Sequence, residues 1–372
     1  MKILQLVTKR QYRGAEIFAY NLSKDLIENG HQVIFAGLYR NPEDQLELPG
    51  ALNTDLSEKK SKIFSPKTAY RLYRLIKTEQ PDIIQCNGSD TLKYAVAAGF
   101  FLSHKIPLTY RNISIISRWF SHPLKKWVYK QLFKRVDFVT SVGRFAMDDF
   151  IRSLRYPPGK IKVIHRGIPV KKTDKKQARQ EITRQLGISP EDKIITHIGN
   201  FSPEKNHAFL LEVFEKIKAK RKDIKLLLAG KGILFEEIKK QIHQKKLEDT
   251  VFLLGFRKDT EKILAASDLF VLTSKVEGVP GVILEAAVQQ VPSVAIDVGG
   301  VSEVIIPGET GILLNDFSPE KFAENIILLA GDVARREQLG QNAYRLVSEQ
   351  FNTKNTVDRF IQLYEKLIYE KN

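Results

Sequence analysis

The 372-residue chain has little sulfur: one cysteine, Cys86, and two methionines. A lone thiol excludes a disulfide framework and fits a reducing compartment. Long apolar runs are missing too. The longest run of small apolar residues, 95–102, falls far short of the roughly 20 residues that span a bilayer, and the N-terminus turns polar at Thr8, too soon for a signal peptide. The expected place is the cytoplasm, possibly at the inner face of its membrane, with any membrane contact peripheral. No Gly-x-Gly-x-x-Gly, Walker Gly-Lys-Ser/Thr, Asp-x-Asp pair, His–carboxylate cluster, zinc-finger spacing, internal repeat or low-complexity tract occurs. These absences argue against a dinucleotide fingerprint, a P-loop enzyme, a metal site and a dedicated nucleic-acid module.

What is present is a basic, asymmetric chain. Residues 1–168 hold 28 Lys and Arg against 14 Asp and Glu, whereas residues 169–372 hold 31 against 29. The surplus therefore belongs to the N-terminal half, where it raises the local concentration of anionic partners without choosing among them. The length is about twice that of a typical domain. Apolar strand-like runs alternate with amphipathic helical stretches: strands are expected at 2–8, 31–38, 81–88, 106–110, 137–141 and 161–164, with helices at 15–28, 68–77, 91–102 and 144–154. A second β-α-β series starts at 193, and residues 319–329, 332–350 and 355–370 read as helices. The pattern predicts an α/β chain of two doubly wound domains, 1–168 and 193–353, joined by a charged connector, 169–192, with a last helix over 354–372. Residues 40–66 read as a long polar loop.

The second half is organised around residues 274–287, where an apolar strand-like run gives way to an apolar helix. Glu277 and Glu285 flank this turn, with Gly278 and Gly281 between them. Open α/β sheets bind ligands at such strand-to-helix junctions. The glycines let backbone approach a ligand, and helix-opening amides suit a diphosphate. If all eight steps were helical, the carboxylates would lie about 12 Å apart along the axis, too far to share one glycosidic bond, so they suit two ends of one long ligand.

This Glu-x7-Glu pattern closely resembles the donor site of the retaining family 4 glycosyltransferases, which have the GT-B fold: two Rossmann-like domains facing a central cleft. The resemblance implies that Glu277 contacts the hydroxyls of a donor hexose and Glu285 the ribose of its nucleotide, with Val279 and Val282 on the same wall. Residues 200–207 resemble the family's phosphate-binding loop, which places Lys205 on the donor diphosphate, whereas Asn200 stands where the family carries an arginine. Gly14, in Arg13-Gly14-Ala15-Glu16, matches a small-residue turn that approaches the donor phosphates. Gly230 matches a further glycine turn, Phe256 and Arg257 the segment framing the base, and Gly299 and Gly300 the Gly-Gly-x-x-Glu turn at the sugar end. The family's histidine has no counterpart, since His104 and His122 stand at other offsets; Arg111 is the first candidate to replace it, and Asn87 faces the acceptor side. The implied activity is metal-independent hexosyl transfer from a UDP- or GDP-linked sugar to a glycan or lipid-linked acceptor, in envelope or extracellular polysaccharide synthesis, with no further cofactor.

Competing readings are a phosphorylase or sugar-nucleotide epimerase of the same fold, and a basic non-enzymatic protein that binds nucleic acid or an anionic surface. Residues 113–138 interleave aromatics with lysines. Leu124, Trp127, Val128 and Leu132 recur at helical spacing, which reads as a helix covering a sheet with Lys126, Lys130 and Lys134 solvated. The preceding segment, with Trp119 and Phe120, reads as the part that rests with Lys126 and Trp127 on an anionic membrane carrying the acceptor.

Overall fold

The computed structural model describes residues 1–42, 45–61, 64–102, 105–120 and 122–371. By backbone contacts the chain divides into two units, Met1–Gly167 with Thr353–Asn372, and Ile168–Asn352. Residues 169–192 group with the second unit and contain a helix, Lys175–Leu186.

The first unit runs β1 (Lys2–Lys9), α1 (Gly14–Glu28), β2 (Gln32–Tyr39), β3 (Leu52–Asp55), α2 (Pro66–Glu79), β4 (Ile83–Asn87), α3 (Ser89–Gly99), β5 (Leu108–Asn112), α4 (Pro123–Phe133), β6 (Phe138–Ser141), α5 (Arg144–Leu154) and β7 (Ile161–Val163). Its strands form a parallel sheet in the order β3-β2-β1-β4-β5-β6-β7. Helices cover both faces, so β1 is apolar on both sides: Leu4 and Leu6 enter one core, Ile3 and Val7 the other. Local signals set the helix starts. In α2, Pro66 supplies a pre-set φ and the Ser65 hydroxyl accepts from the Thr68 amide at 3.2 Å.

The second unit runs α6 (Lys175–Leu186), β8 (Lys193–Ile198), α7 (His207–Lys220), β9 (Ile224–Ala229), α8 (Phe235–Gln244), β10 (Val251–Gly255), α9 (Thr260–Ala265), β11 (Leu269–Leu272), α10 (Gly281–Val288), β12 (Ser293–Ile296), β13 (Gly311–Leu314), α11 (Pro319–Gly331) and α12 (Val333–Gln350). Its parallel sheet has the order β10-β9-β8-β11-β12-β13. The chain moves outward from β8 in one direction, then restarts on the other side with β11. The β8/β11 boundary is therefore a topological switch point, the place where such sheets leave a crevice at their C-terminal edge. The last helix, α13 (Thr353–Tyr369), packs in the first unit, where Phe360 and Tyr364 are fully buried.

Two sequence expectations change. Residues 40–66 are not all loop, because β3 adds an edge strand to the first sheet. The spacing in α4 marks the wrong face: Tyr129 and Phe133 are buried, while Leu124, Trp127 and Val128 are exposed. Among the described residues no helix is long and apolar enough to cross a membrane.

Candidate functional site

Lys205 and Glu277 reach the switch point from two strands that neighbour each other. Beyond β8, the chain makes a short 3-10 turn at Pro203–Lys205 before α7 opens. Beyond β11, residues 273–280 form the loop that leads into α10. The two loops are fastened by backbone: the Lys275 amide donates to the Glu204 carbonyl at 2.7 Å, and the Thr273 hydroxyl to the Lys205 carbonyl at 3.2 Å. Lys205 Nζ then meets Glu277 Oε1 at 2.6 Å, with side chains 23% and 10% exposed. A short pair this shielded is stronger than one on an open surface.

The glycines around this pair are needed for close approach. A Cβ on Gly299, at φ +62, would lie 2.0 Å from the Glu277 carbonyl oxygen, and one on Gly300 would lie 2.4 Å from that of Gly278. The Gly300 amide donates to the Gly278 carbonyl at 2.9 Å, so the β12 turn clamps the backbone carrying Glu277. Likewise a Cβ on Gly230 would lie 1.9 Å from the Gly199 carbonyl oxygen, and the Phe201 amide donates to the Lys231 carbonyl at 3.0 Å. The turns after four neighbouring strands, β9, β8, β11 and β12, are thus brought to one edge of the sheet. Glu285 lies half-buried on α10, four residues past its opening glycine, Gly281; the seven residues between the glutamates are part loop and part helix. Val279 and Val282 are half-buried against the core under α10.

The remaining candidates in this unit divide by exposure. Asn200 is exposed. Phe256 is 60% exposed, with Lys231 Nζ 4.8 Å from its ring centroid. Arg257 is already occupied by Asp259, at 2.8 and 2.7 Å. A cavity of about 610 Å³ opens at the opposite edge of this sheet, lined in part by Arg179, Asp268 and Arg336. It is no rival, since both guanidiniums are engaged by Asp268 and by backbone carbonyls.

Two histidines missed by sequence reasoning lie beneath the Lys205 loop. His197, on β8, and His207, at the start of α7, meet edge to face at 4.8 Å, and both are buried. Burial pushes the His197 imidazole down to about 3; burial and then the nearby Lys205 charge push His207 down to about 4. Both are neutral at pH 7. His197 Nδ1 bonds the Val271 carbonyl at 3.0 Å, which ties β8 to β11, whereas His197 Nε2 and both His207 nitrogens have no partner among the described residues. Their only sequence signal was position, one just before and one just after the strand-end turn.

In the first unit, several candidates are elsewhere than expected. Arg111 is 1% exposed: its guanidinium lies 3.7 Å from the Phe18 ring centroid and donates to the Ile164 carbonyl at 3.3 Å. Burial lowers its pKa to about 9, and this placement is that of a core residue, not of a group that touches a sugar. Asn87 is buried too, donating to Gln5 Oε1 at 2.9 Å within the sheet layer. Trp119 and Phe120 are partly buried and pack on the first core, with ring centroids 6.2 and 5.9 Å from that of Tyr129. Lys126 and Trp127 are exposed. Gly14 opens α1, with open space where its Cβ would be. His104 lies outside the described residues.

Comparison with known proteins bears on the family and the fold. Residues 12–172 match the family model for glycosyltransferase family 4, and residues 178–346 match that for glycosyl transferases group 1. The chain is 32% identical over 228 residues to N-acetyl-alpha-D-glucosaminyl L-malate synthase of Bacillus anthracis, a match covering 61% of this chain and 59% of that protein. It is 25% identical over 252 residues to alpha-D-kanosaminyltransferase of Streptomyces kanamyceticus, covering 66% and 64%. Both matches span less than two thirds of the relative. Among solved structures, Anabaena HepE in complex with UDP and glucose superposes with a TM-score of 0.84 at 22% identity, covering 98% of this chain and 99% of that one. At that identity the likeness carries the fold, GT-B, alone.

Proposed function

Starting from the premise that this chain belongs to glycosyltransferase family 4, we propose that it transfers a hexose from a UDP- or GDP-linked sugar to a glycan or lipid-linked acceptor, with retention at the anomeric carbon. The observation that carries this reading is the Lys205–Glu277 pair at the switch point of the second sheet, held there by close backbone contacts at Gly299 and Gly300. Such a site grips an elongated anionic ligand: Lys205 and the amides opening α10 meet the diphosphate, Glu277 accepts from hexose hydroxyls, and Glu285 holds the ribose. The exposed Phe256 ring is the natural stacking surface for the base.

In the reaction the bond between the anomeric carbon and the diphosphate oxygen breaks, leaving an oxocarbenium-like sugar. Negative charge grows on the departing phosphate, where Lys205 stabilises it. The acceptor oxygen attacks from the face the phosphate leaves, and its proton passes to a phosphate oxygen, so no protein nucleophile is required. The basic N-terminal half suits an acceptor carried on an anionic membrane at the cytoplasmic side, in envelope or extracellular polysaccharide synthesis.

The test is a thermal-shift panel of UDP-, GDP- and ADP-sugars on the wild type and on Glu285→Ala. A donor present at about 100 times its Kd stabilises by about 2.7 kcal/mol, which is several degrees for a unit of this size. One nucleotide class is expected to produce that shift, and Glu285→Ala to abolish it. No response to any nucleotide sugar, or a response that survives the substitution, refutes the reading.

A further inference from the structure

His197 is fully buried near the end of β8, just before the strand-end glycine, Gly199. Its Nδ1 lies 3.0 Å from the Val271 carbonyl oxygen. A carbonyl oxygen can only accept, so Nδ1 carries the proton and the neutral ring keeps a lone pair on Nε2. That second nitrogen is buried and has no partner among the described residues. The tie to β11 thus accounts for one nitrogen of the ring and leaves the other, a buried acceptor, unexplained.

Lys205 borders the same gap as that acceptor. A Cβ on Gly199 would lie 3.2 Å from His197 Nε2 and 3.6 Å from both Cδ and Cε of Lys205, so the imidazole edge and the end of the lysine stem share the space that the glycine leaves open. Lys205 Nζ has three donor hydrogens, and Glu277 Oε1 engages it at 2.6 Å. The neighbouring ring, His207, is stacked on Phe201 at 4.2 Å and meets His197 edge to face without a hydrogen bond. Burial first, then His207, and then Lys205 outweigh the Val271 carbonyl in holding His197 neutral, the only form whose Nε2 can accept.

We propose that His197 is a positioning residue for Lys205: as the ammonium leaves Glu277 for the donor diphosphate, His197 Nε2 accepts one of its N–H groups and turns the others toward the phosphate oxygens. The inference rests on the glycosyl-transfer reading above and adds to it a residue that touches neither substrate nor reacting atoms. An ammonium on a four-carbon stem has many directions open to it, and one fixed acceptor beneath it removes most of them. A neutral imidazole does this without competing for the charge, as a carboxylate in its place would. Negative charge on the departing phosphate grows in the transition state, so aligning Lys205 matters more there than in the bound donor, and its loss falls on kcat rather than KM.

Two variants separate this role from the strand tie. His197→Asn keeps an amide that can donate to Val271 and has nothing at Nε2, whereas His197→Gln brings an amide oxygen to the Nε2 position and gives up the tie. Turnover should follow the acceptor: kcat about tenfold lower in His197→Asn with KM within about threefold of wild type, and kcat nearer wild type in His197→Gln. A structural role predicts the reverse order. In Lys205→Met, adding His197→Asn should change kcat by less than about twofold, because no ammonium is left to position. His207→Phe should leave kcat unchanged; a loss matching that of His197→Asn would make His207 the partner of Nε2 and overturn the proposal.

A second measurement needs neither turnover nor a variant of His197 that must fold: nitrogen NMR of the full chain carrying isotopically labelled histidine. The His197 Nε2 resonance should be that of a free, unprotonated nitrogen and should move upfield on addition of UDP or GDP, as it accepts a hydrogen bond; in Lys205→Met it should stay. A resonance unmoved by both nucleotides, or His197→Asn turning over better than His197→Gln, overturns the proposal. A resonance that moves while no donor sugar is transferred would count against glycosyl transfer and leave the contact standing. Transfer at the wild-type rate in His197→Asn would sink the contact and leave glycosyl transfer standing.

Discussion

Gly299→Ala tests whether the β12 turn positions Glu277. The new Cβ would lie 2.0 Å from the Glu277 carbonyl oxygen, whereas such atoms are essentially never closer than 3.0 Å, so the two backbones must separate by about an ångström. Alanine at φ +62 costs roughly 1 kcal/mol, and the forced repacking another 1–3, giving a stability loss of about 2–4 kcal/mol. Misplacing Glu277 by about an ångström should lower turnover about a hundredfold. For stability, the control is Gly14→Ala, at the first position of α1 with nothing within 4 Å of the added Cβ: helix propensity favours the alanine by up to about 1 kcal/mol. Urea unfolding measures the first quantity, and kcat/KM with the donor found by thermal shift, assayed well below the melting range, measures the second. Wild-type stability and turnover in Gly299→Ala would refute the reasoning. Lost stability with unchanged turnover would detach Glu277 from the chemistry.

The buried histidines predict an acid liability. Their folded pKa values lie below the unfolded value of about 6.5, so the unfolded chain binds more protons as pH falls; stability is full above that value and declines from about 6.5 down toward 4 and 3. At pH 5 each neutral imidazole costs about 2 kcal/mol. His207→Phe, which keeps the stack on Phe201, should therefore reduce the loss measured by urea unfolding between pH 7.5 and 5 by about that amount, and an unchanged loss would refute the assignment. Arg111→Met should preserve turnover, with stability within about 1–2 kcal/mol, because an apolar chain of similar length replaces a buried charge; Arg111→Ala, which leaves a hole beside Phe18, should cost about 2–4 kcal/mol. A folded but inactive Arg111→Met would restore that residue to the chemistry.

Periodicity and strand-end glycines made much of this architecture readable, because parallel strands buried on both faces are near-continuous apolar runs and their turns carry glycine where backbones touch. β3 escaped because Leu-Asn-Thr-Asp has one apolar residue and lies at a sheet edge, half exposed. The α4 stripe was legible as a stripe but not in its direction: Leu124, Trp127 and Val128 have the same helical spacing as Tyr129 and Phe133, and only the packed neighbours decide which set turns inward. Asn87 and Arg111 looked available because they end strands, yet both are within the sheet layer, where Gln5 and the Phe18 ring occupy them. The Lys205 and Glu277 positions were readable one at a time, but their direct ion pair was not, since it depends on which strands are adjacent at the switch point.

That ion pair also bears on the place where the family resemblance is weakest. Asn200 brings no charge to the position at which an arginine is expected, which leaves more to Lys205, and without a ligand Lys205 is paired with Glu277. A diphosphate arriving there adds about two negative charges. At an effective dielectric of 20, two unit charges at 4 Å would attract the ammonium by about 8 kcal/mol, against about 6 kcal/mol for the Glu277 carboxylate at 2.6 Å, so on the proposed reading the phosphates together would outcompete it for Lys205. As the lysine turns to the phosphate, Glu277 loses its donor and gains free lone pairs at the moment a hexose hydroxyl is beside it. One exchange of partners would then make both groups ready, with the ion pair keeping each in place beforehand and the clamp at Gly299 and Gly300 limiting how far Glu277 can move.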